Sequence, residues 1–119
     1  MSVTLYTYPP CSTCRKARKW LQDNNVEFTE IHIVESTPSS NEIKQLHENS
    51  GLELKQFFNT SGKKYRELEL KDKLPNATEE ELYEILASDG MLIKRPIVTD
   101  GKKVTVGFKE SDFSGAWTN

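Results

Sequence analysis

Cysteine and histidine are scarce in this chain, with two of each among 119 residues. So few cysteines cannot build the disulfide framework of a small secreted domain. In a reducing compartment both stay thiols, and their placement then points to reactivity or metal binding. No apolar run approaches the length of a membrane span. The opening MSVTLYTYPPC carries neither the basic leader nor the apolar stretch of a signal peptide, so a cytoplasmic protein with no membrane contact is expected. Neither sign of charge dominates: sixteen Lys and Arg stand against eighteen Asp and Glu, a net charge of -2. No broad positive field exists to hold nucleic acid, and direct nucleic-acid binding is not expected. Repeats, low-complexity runs and linkers are also missing, and the length suits one domain over 1–119. Hydrophobic residues at 35% are enough for a single core.

The apolar pattern changes period twice. Val3 to Tyr8 alternates β-branched and aromatic residues and stops at Pro9-Pro10, as a strand does. From Ser12 to about Asp23, Cys14, Ala17 and Leu21 recur at helical spacing with Trp20 beside them, while Lys16, Lys19 and Asp23 face away. Asn24-Asn25 breaks this helix, and Val26 to Val34, with Phe28, Ile31 and Ile33, reads as a second strand. Two strands joined by such a helix are parallel with a right-handed crossover. A helical middle follows over about 37–90. Thr37-Pro38-Ser39 opens a helix carrying Ile43, Leu46 and His47, and Gly51 suits its left-handed C-terminal position. Leu52 to Phe58 and Lys64 to Leu70 are short helical pieces around the turn Thr60-Ser61-Gly62. Thr78 and Glu81 form a capping box for a helix that buries Leu82, Ile85 and Leu86 and ends near Asp89-Gly90. Pro96-Ile97-Val98 and Val104-Thr105-Val106 flank the turn signal Asp100-Gly101, which predicts an antiparallel hairpin. Phe113 and Trp117 share one face of a closing helix. The order predicts an α/β, thioredoxin-like fold: a mixed four-stranded sheet with a helical insertion between a βαβ half and a ββα half.

Cys11 falls between the first strand and the first helical turn, where unpaired N–H groups and the positive end of the helix dipole favour negative charge on sulfur. Cys14, one turn on, is within disulfide reach and on the core side. The expected division of labour has Cys11 attack and Cys14 resolve. Arg15 can reach back to the Cys11 sulfur or to an oxyanion near it, or can lie on a solvated basic face with Lys16, Arg18 and Lys19. A zinc site would need two further ligands, and His32 and His47 stand at no finger spacing, so no metal is expected. A phosphatase-type anion loop would need arginine where Ala17 stands. His47 reads as a packing residue and His32 as an outward strand position. Arg95-Pro96 opens the third strand across from the helix bearing Cys11. A cis bond there would expose a backbone edge to an incoming thiol or peptide, and an ordinary trans proline is the alternative. Arg95 is placed to bind an anion or to cap a helix end.

LYTYPPCSTCRKARKWL, LIKRPIV and DGKKVTVGF, in this order, resemble the arsenate reductase family, which includes the Spx-type transcription regulators, over nearly the whole chain. The resemblance implies a nucleophilic Cys11 and a cis Pro96. It further implies a cytosolic thiol-disulfide oxidoreductase needing no cofactor, monomeric, with a thioredoxin-like or low-molecular-weight thiol as reductant. Substrate contacts are expected from Arg15, Pro96, Arg95 and Lys109. Arsenate-reducing members use further arginines against the oxyanion. Those positions fall here on Asn59 and near Phe108, with Lys109 the nearest cation, which weakens the case for arsenate. Glutathione-coupled members lack a second cysteine in this motif, so Cys14 argues for an internal disulfide. The Spx-type branch carries CxxC followed by arginine, together with RPI. Its members bind RNA polymerase and use the disulfide as a switch, which makes polymerase the alternative partner. Gly51 lies near a glycine that this branch uses in that contact, a position equally suited to a helix C-terminal glycine. The ending FSGAWTN lacks the basic finish of those regulators.

Overall fold

The computed structural model describes residues 2–118, in two compact units: the chain up to His32 together with Arg95 onward, and Ile33–Lys94. The first unit holds the sheet. Strands β1 (Ser2–Thr7), β2 (Glu27–His32), β3 (Ile97–Thr99) and β4 (Val104–Val106) lie in the order β2-β1-β3-β4. The β1–β2 pair is parallel, with Leu5 opposite Glu30, and β1–β3 and β3–β4 are antiparallel. This is the mixed sheet that the alternating segments predict. Helices α1 (Ser12–Asp23) and α6 (Glu110–Trp117) supply the other half of the core. Val3, Leu5 and Val98 from the sheet pack with Ala17 and Leu21 of α1 and with Phe113 and Trp117 of α6. Trp20 and Phe108 each meet the Phe113 ring edge-on, at 5.3 and 4.8 Å between centroids. The buried Trp117 indole N–H donates to Thr105 at 3.1 Å, so its polar atom is satisfied.

The hairpin forms around Asp100. Its carboxylate accepts the backbone N–H groups of Lys102 and Lys103 at 2.9 and 2.7 Å. The Lys103 bond is the main reason this carboxyl sits below the usual carboxylate range. Gly101, at φ +95°, takes the left-handed turn conformation.

The second unit contains α2 (Ser40–Ser50), α3 (Lys63–Glu67), α4 (Leu70–Lys73) and α5 (Glu79–Ser88), with short 3-10 turns between them. Both long helices begin with a complete capping box, Ser39 with Glu42 and Thr78 with Glu81, and Gly51 ends α2 at φ +70°. Helix α2 lies against α5. There His47 Nδ1 is 2.7 Å from the Tyr83 hydroxyl and its ring meets Phe57 edge-on, the packing role its helical position predicts. Ser39→Ala and Thr78→Ala should each cost about 1 kcal/mol, read as a lower urea midpoint at unchanged slope.

Two local readings are corrected. The second strand was expected over Val26 to Val34 but ends at His32. Phe28 and Ile31 cannot share one face at a period of two, and Ile33 instead enters the second unit with no exposed surface. The piece expected over Lys64 to Leu70 is two short helices, because Glu69 adopts a left-handed φ of +53°. Within the second unit Phe58 and Ile93 also form an isolated antiparallel bridge.

Candidate functional site

Chain order at the end of β1 builds the site. Pro9-Pro10 ends the strand, and the Cys11 N–H donates to the Tyr8 carbonyl at 2.9 Å, closing a tight turn into α1. Cys11 is the N-cap of α1, in extended conformation, and its sulfur accepts the backbone N–H of Cys14 at 3.4 Å. No acidic side chain occupies the first turn of α1, so nothing there offsets the positive end of the helix. Both cysteines are free thiols, Cys11 partly exposed and Cys14 buried.

Cys14 is the perturbed member. Burial, then its hydrogen bond to the Cys11 side chain, push its pKa up to about 12, against a smaller opposing pull from the Tyr8 backbone and the Arg95 charge. The sign of the linked stability follows. The native state keeps this proton at pH values where the unfolded chain has lost it. The contribution is therefore whole below about pH 9 and falls by roughly 1.4 kcal/mol per pH unit until the pH passes about 12. The reduced protein should lose about 2 kcal/mol more than its Cys14→Ala variant between pH 8.5 and 10.5, measured by urea unfolding. Equal losses would refute the assignment.

Arg95 and Pro96 reach the same end of the sheet. Ile97 pairs with Tyr6, so the residues just before it lie beside the end of β1. The Arg95-Pro96 bond is cis, and the Pro96 carbonyl accepts the Gly107 N–H at 2.8 Å. The Arg95 guanidinium sits over the Tyr8 ring, 4.9 Å from its centroid, and His32 meets that ring edge-on at 5.8 Å. Arg15 is exposed, and its backbone N–H donates to the Cys11 carbonyl at 3.3 Å. Lys109 is exposed at the start of α6, its carbonyl accepting the Phe113 N–H. Asn59 belongs to the second unit, where its N–H donates to the Leu92 carbonyl.

Sequence reasoning missed one cluster. Arg18, read as part of a solvated basic face, holds Glu30 in a two-pronged ion pair, with Nε donating to Oε1 at 2.8 Å and Nη2 to Oε2. The hydroxyl of Thr7, which is buried, donates to the same carboxylate at 2.6 Å. The Arg18 hydrogen bond, with help from Thr7, holds the Glu30 carboxyl below the usual range. The available signal was spacing: Arg18 follows Cys14 by four, one turn along α1. Tyr8 was read only as a strand residue. Among the described residues no group of three or more His, Cys, Asp or Glu is arranged to hold a metal ion, and no helix is long and apolar enough to cross a membrane.

The ArsC family model matches residues 6–116. The chain belongs to the ArsC family. Among its relatives is the uncharacterized protein YusI of Bacillus subtilis, 63% identical over 117 residues, which cover 98% of this chain and 99% of YusI. The global transcriptional regulator Spx 1 of Oceanobacillus iheyensis is 35% identical over 111 residues, covering 92% of this chain and 82% of the regulator. Among solved structures, an arsenate reductase from Vibrio cholerae superposes with a TM-score of 0.81 at 30% identity, over 89% of each chain. The α/β sheet with its helices is thus the thioredoxin-like fold of this family.

Proposed function

We propose that this ArsC family member is a cytoplasmic thiol-disulfide oxidoreductase in which Cys11 is the nucleophile and Cys14 the resolving thiol. The observation that carries the reading is the Cys14 N–H on the Cys11 sulfur at the start of α1, with the Cys14 thiol bonded to the same side chain. The Cys11 thiolate attacks one sulfur of a substrate disulfide, forming a mixed disulfide and expelling the other half as thiolate. Cys14 then loses its proton to solvent and attacks Cys11, closing the Cys11–Cys14 bond and releasing the second thiolate. Two electrons pass from the dithiol to the substrate. A thioredoxin-like or low-molecular-weight thiol reductant returns them. Arg95, fixed on the Tyr8 ring, offers a positive charge to an anionic substrate group, with Arg15 and Lys109 as further cations and Pro96 as a backbone edge.

The test is turnover of glutathione disulfide and of arsenate, each coupled to thioredoxin with its reductase. Consumption of either with a transient internal disulfide supports the reading. Absence of both turnover and disulfide rejects it. Arsenate is the weaker expectation, because Asn59 stands where arsenate-reducing members carry an arginine.

The relation to Spx 1 favours a second reading, a redox-sensing regulator with RNA polymerase as partner and the same cysteines as switch. Retention of polymerase that differs between the reduced and oxidised protein would support it. Absent or equal retention would remove it.

A further inference from the structure

The Thr7–Glu30–Arg18 cluster has no part in the chemistry above, although it joins all three elements that frame the cysteines. Thr7 is the last residue of β1, one before the Tyr8 carbonyl that receives the Cys11 N–H. Glu30 lies on β2, and Arg18 lies on α1 one turn after Cys14. Helical side chains lean back toward the N-terminus, which carries the guanidinium toward that sulfur. Building on the dithiol reading, we propose that Thr7, Glu30 and Arg18 are a positioning device for Cys14. Glu30 clamps and neutralises the Arg18 charge one turn from the sulfur, and so governs how readily Cys14 acts as the resolving thiol.

Three observations support this. The clamp is two-pronged and charge-assisted, its side chains 29% and 33% exposed. The Thr7 hydroxyl is buried and spends its hydrogen on the same carboxylate, which fixes Glu30 against rotation. Arg18 is held charged first by its hydrogen bond to Glu30 and also by the Cys14 sulfur, so the two groups share a field. The Cys14 thiol itself is shifted mainly by burial and by its hydrogen bond to the Cys11 side chain, with the Tyr8 backbone and the Arg95 charge opposing. With Glu30 in place the clamp is neutral overall and lends little help to a Cys14 thiolate. Removing the carboxylate charge leaves a net cation beside the sulfur; removing the guanidinium leaves a net anion.

The probe is one equivalent of 5,5′-dithiobis(2-nitrobenzoate) added to the fully reduced protein. Attack by Cys11 forms the mixed disulfide and releases one thionitrobenzoate. Attack by Cys14 on Cys11 then closes the internal disulfide and releases a second, and the rate of that second release is the measurement. Glu30→Gln should accelerate it by about tenfold and move its pH profile down by about one unit, and Arg18→Gln should slow it by a similar factor. Arg18→Lys, which keeps the charge without the fork, should recover most of the loss. A purely structural role would slow every variant alike. Changes of the same sign in Glu30→Gln and Arg18→Gln, or no change in either, would overturn the proposal. Should Glu30→Gln fail to fold, equal rates for Arg18→Lys and Arg18→Gln would do the same. If the wild type gives no second release, matching Cys14→Ser, the dithiol reading itself has failed, a result separate from the variant comparison.

Discussion

Cys11→Ser is expected to reduce disulfide turnover by at least about 10³-fold, because a serine hydroxyl ionises too weakly to replace a thiolate. The Cys11 sulfur accepts the Cys14 N–H, a donor that can stabilise charge but cannot take a proton. Cys14→Ser should behave differently. The first attack survives and the second is lost, so treatment with glutathione disulfide should leave one glutathione on Cys11. Wild type should instead lose two hydrogens and retain no adduct. Intact-mass measurement distinguishes the two. A Cys14→Ser protein that turns over at the wild-type rate would show that a solvent thiol, not Cys14, resolves the intermediate.

The second large effect concerns Gly90. A Cβ built there would lie 2.2 Å from the Ile33 carbonyl oxygen and 2.8 Å from both the Ile33 carbonyl carbon and the Val34 Cα. All three are backbone atoms, so no side-chain rotation relieves the clash and the chain must move. Gly90→Ala should cost about 3 kcal/mol and lower the melting temperature by roughly 10 °C. Two other glycines calibrate the result. Gly51→Ala meets open space but must hold φ at +70°, at a cost of about 1 kcal/mol. Gly115→Ala, in α6 with nothing within 4 Å, should stabilise the protein by up to about 1 kcal/mol. A Gly90→Ala midpoint equal to that of Gly51→Ala would refute the close approach.

The legible parts of the fold were those in which one residue's local preference matched its final surroundings. The capping residues Thr78 and Glu81 announce α5 because the hydrogen bonds they form are local. The alternation of Val3 and Leu5 announces β1 because they are buried on one face while their neighbours Ser2 and Thr4 are not. The end of β2 was misplaced for the opposite reason: Ile33 is buried but belongs to the Ile33–Lys94 unit and not to the sheet, a membership that leaves no period in the sequence. Gly90 read as a helix end, whereas its position is dictated by the Ile33 backbone, 57 residues earlier. At the site, Cys11 and Cys14 stood out through scarcity and spacing. Arg18, by contrast, was indistinguishable from Lys16 and Lys19 until β2 brought Glu30 to it.

By itself the sequence determined the order and type of the elements, the placing of one thiol at a helix start with a second a turn away, and the membership of a family built on that arrangement. Each of these depends on neighbours a few positions apart. Tertiary structure alone decided that Cys14 has no exposed surface, that Arg95 rests on the Tyr8 ring, and that Thr7 and Arg18 both bind the Glu30 carboxylate. Burial and charge pairing depend on distances through space, and strand pairing sets those distances only when the chain has folded.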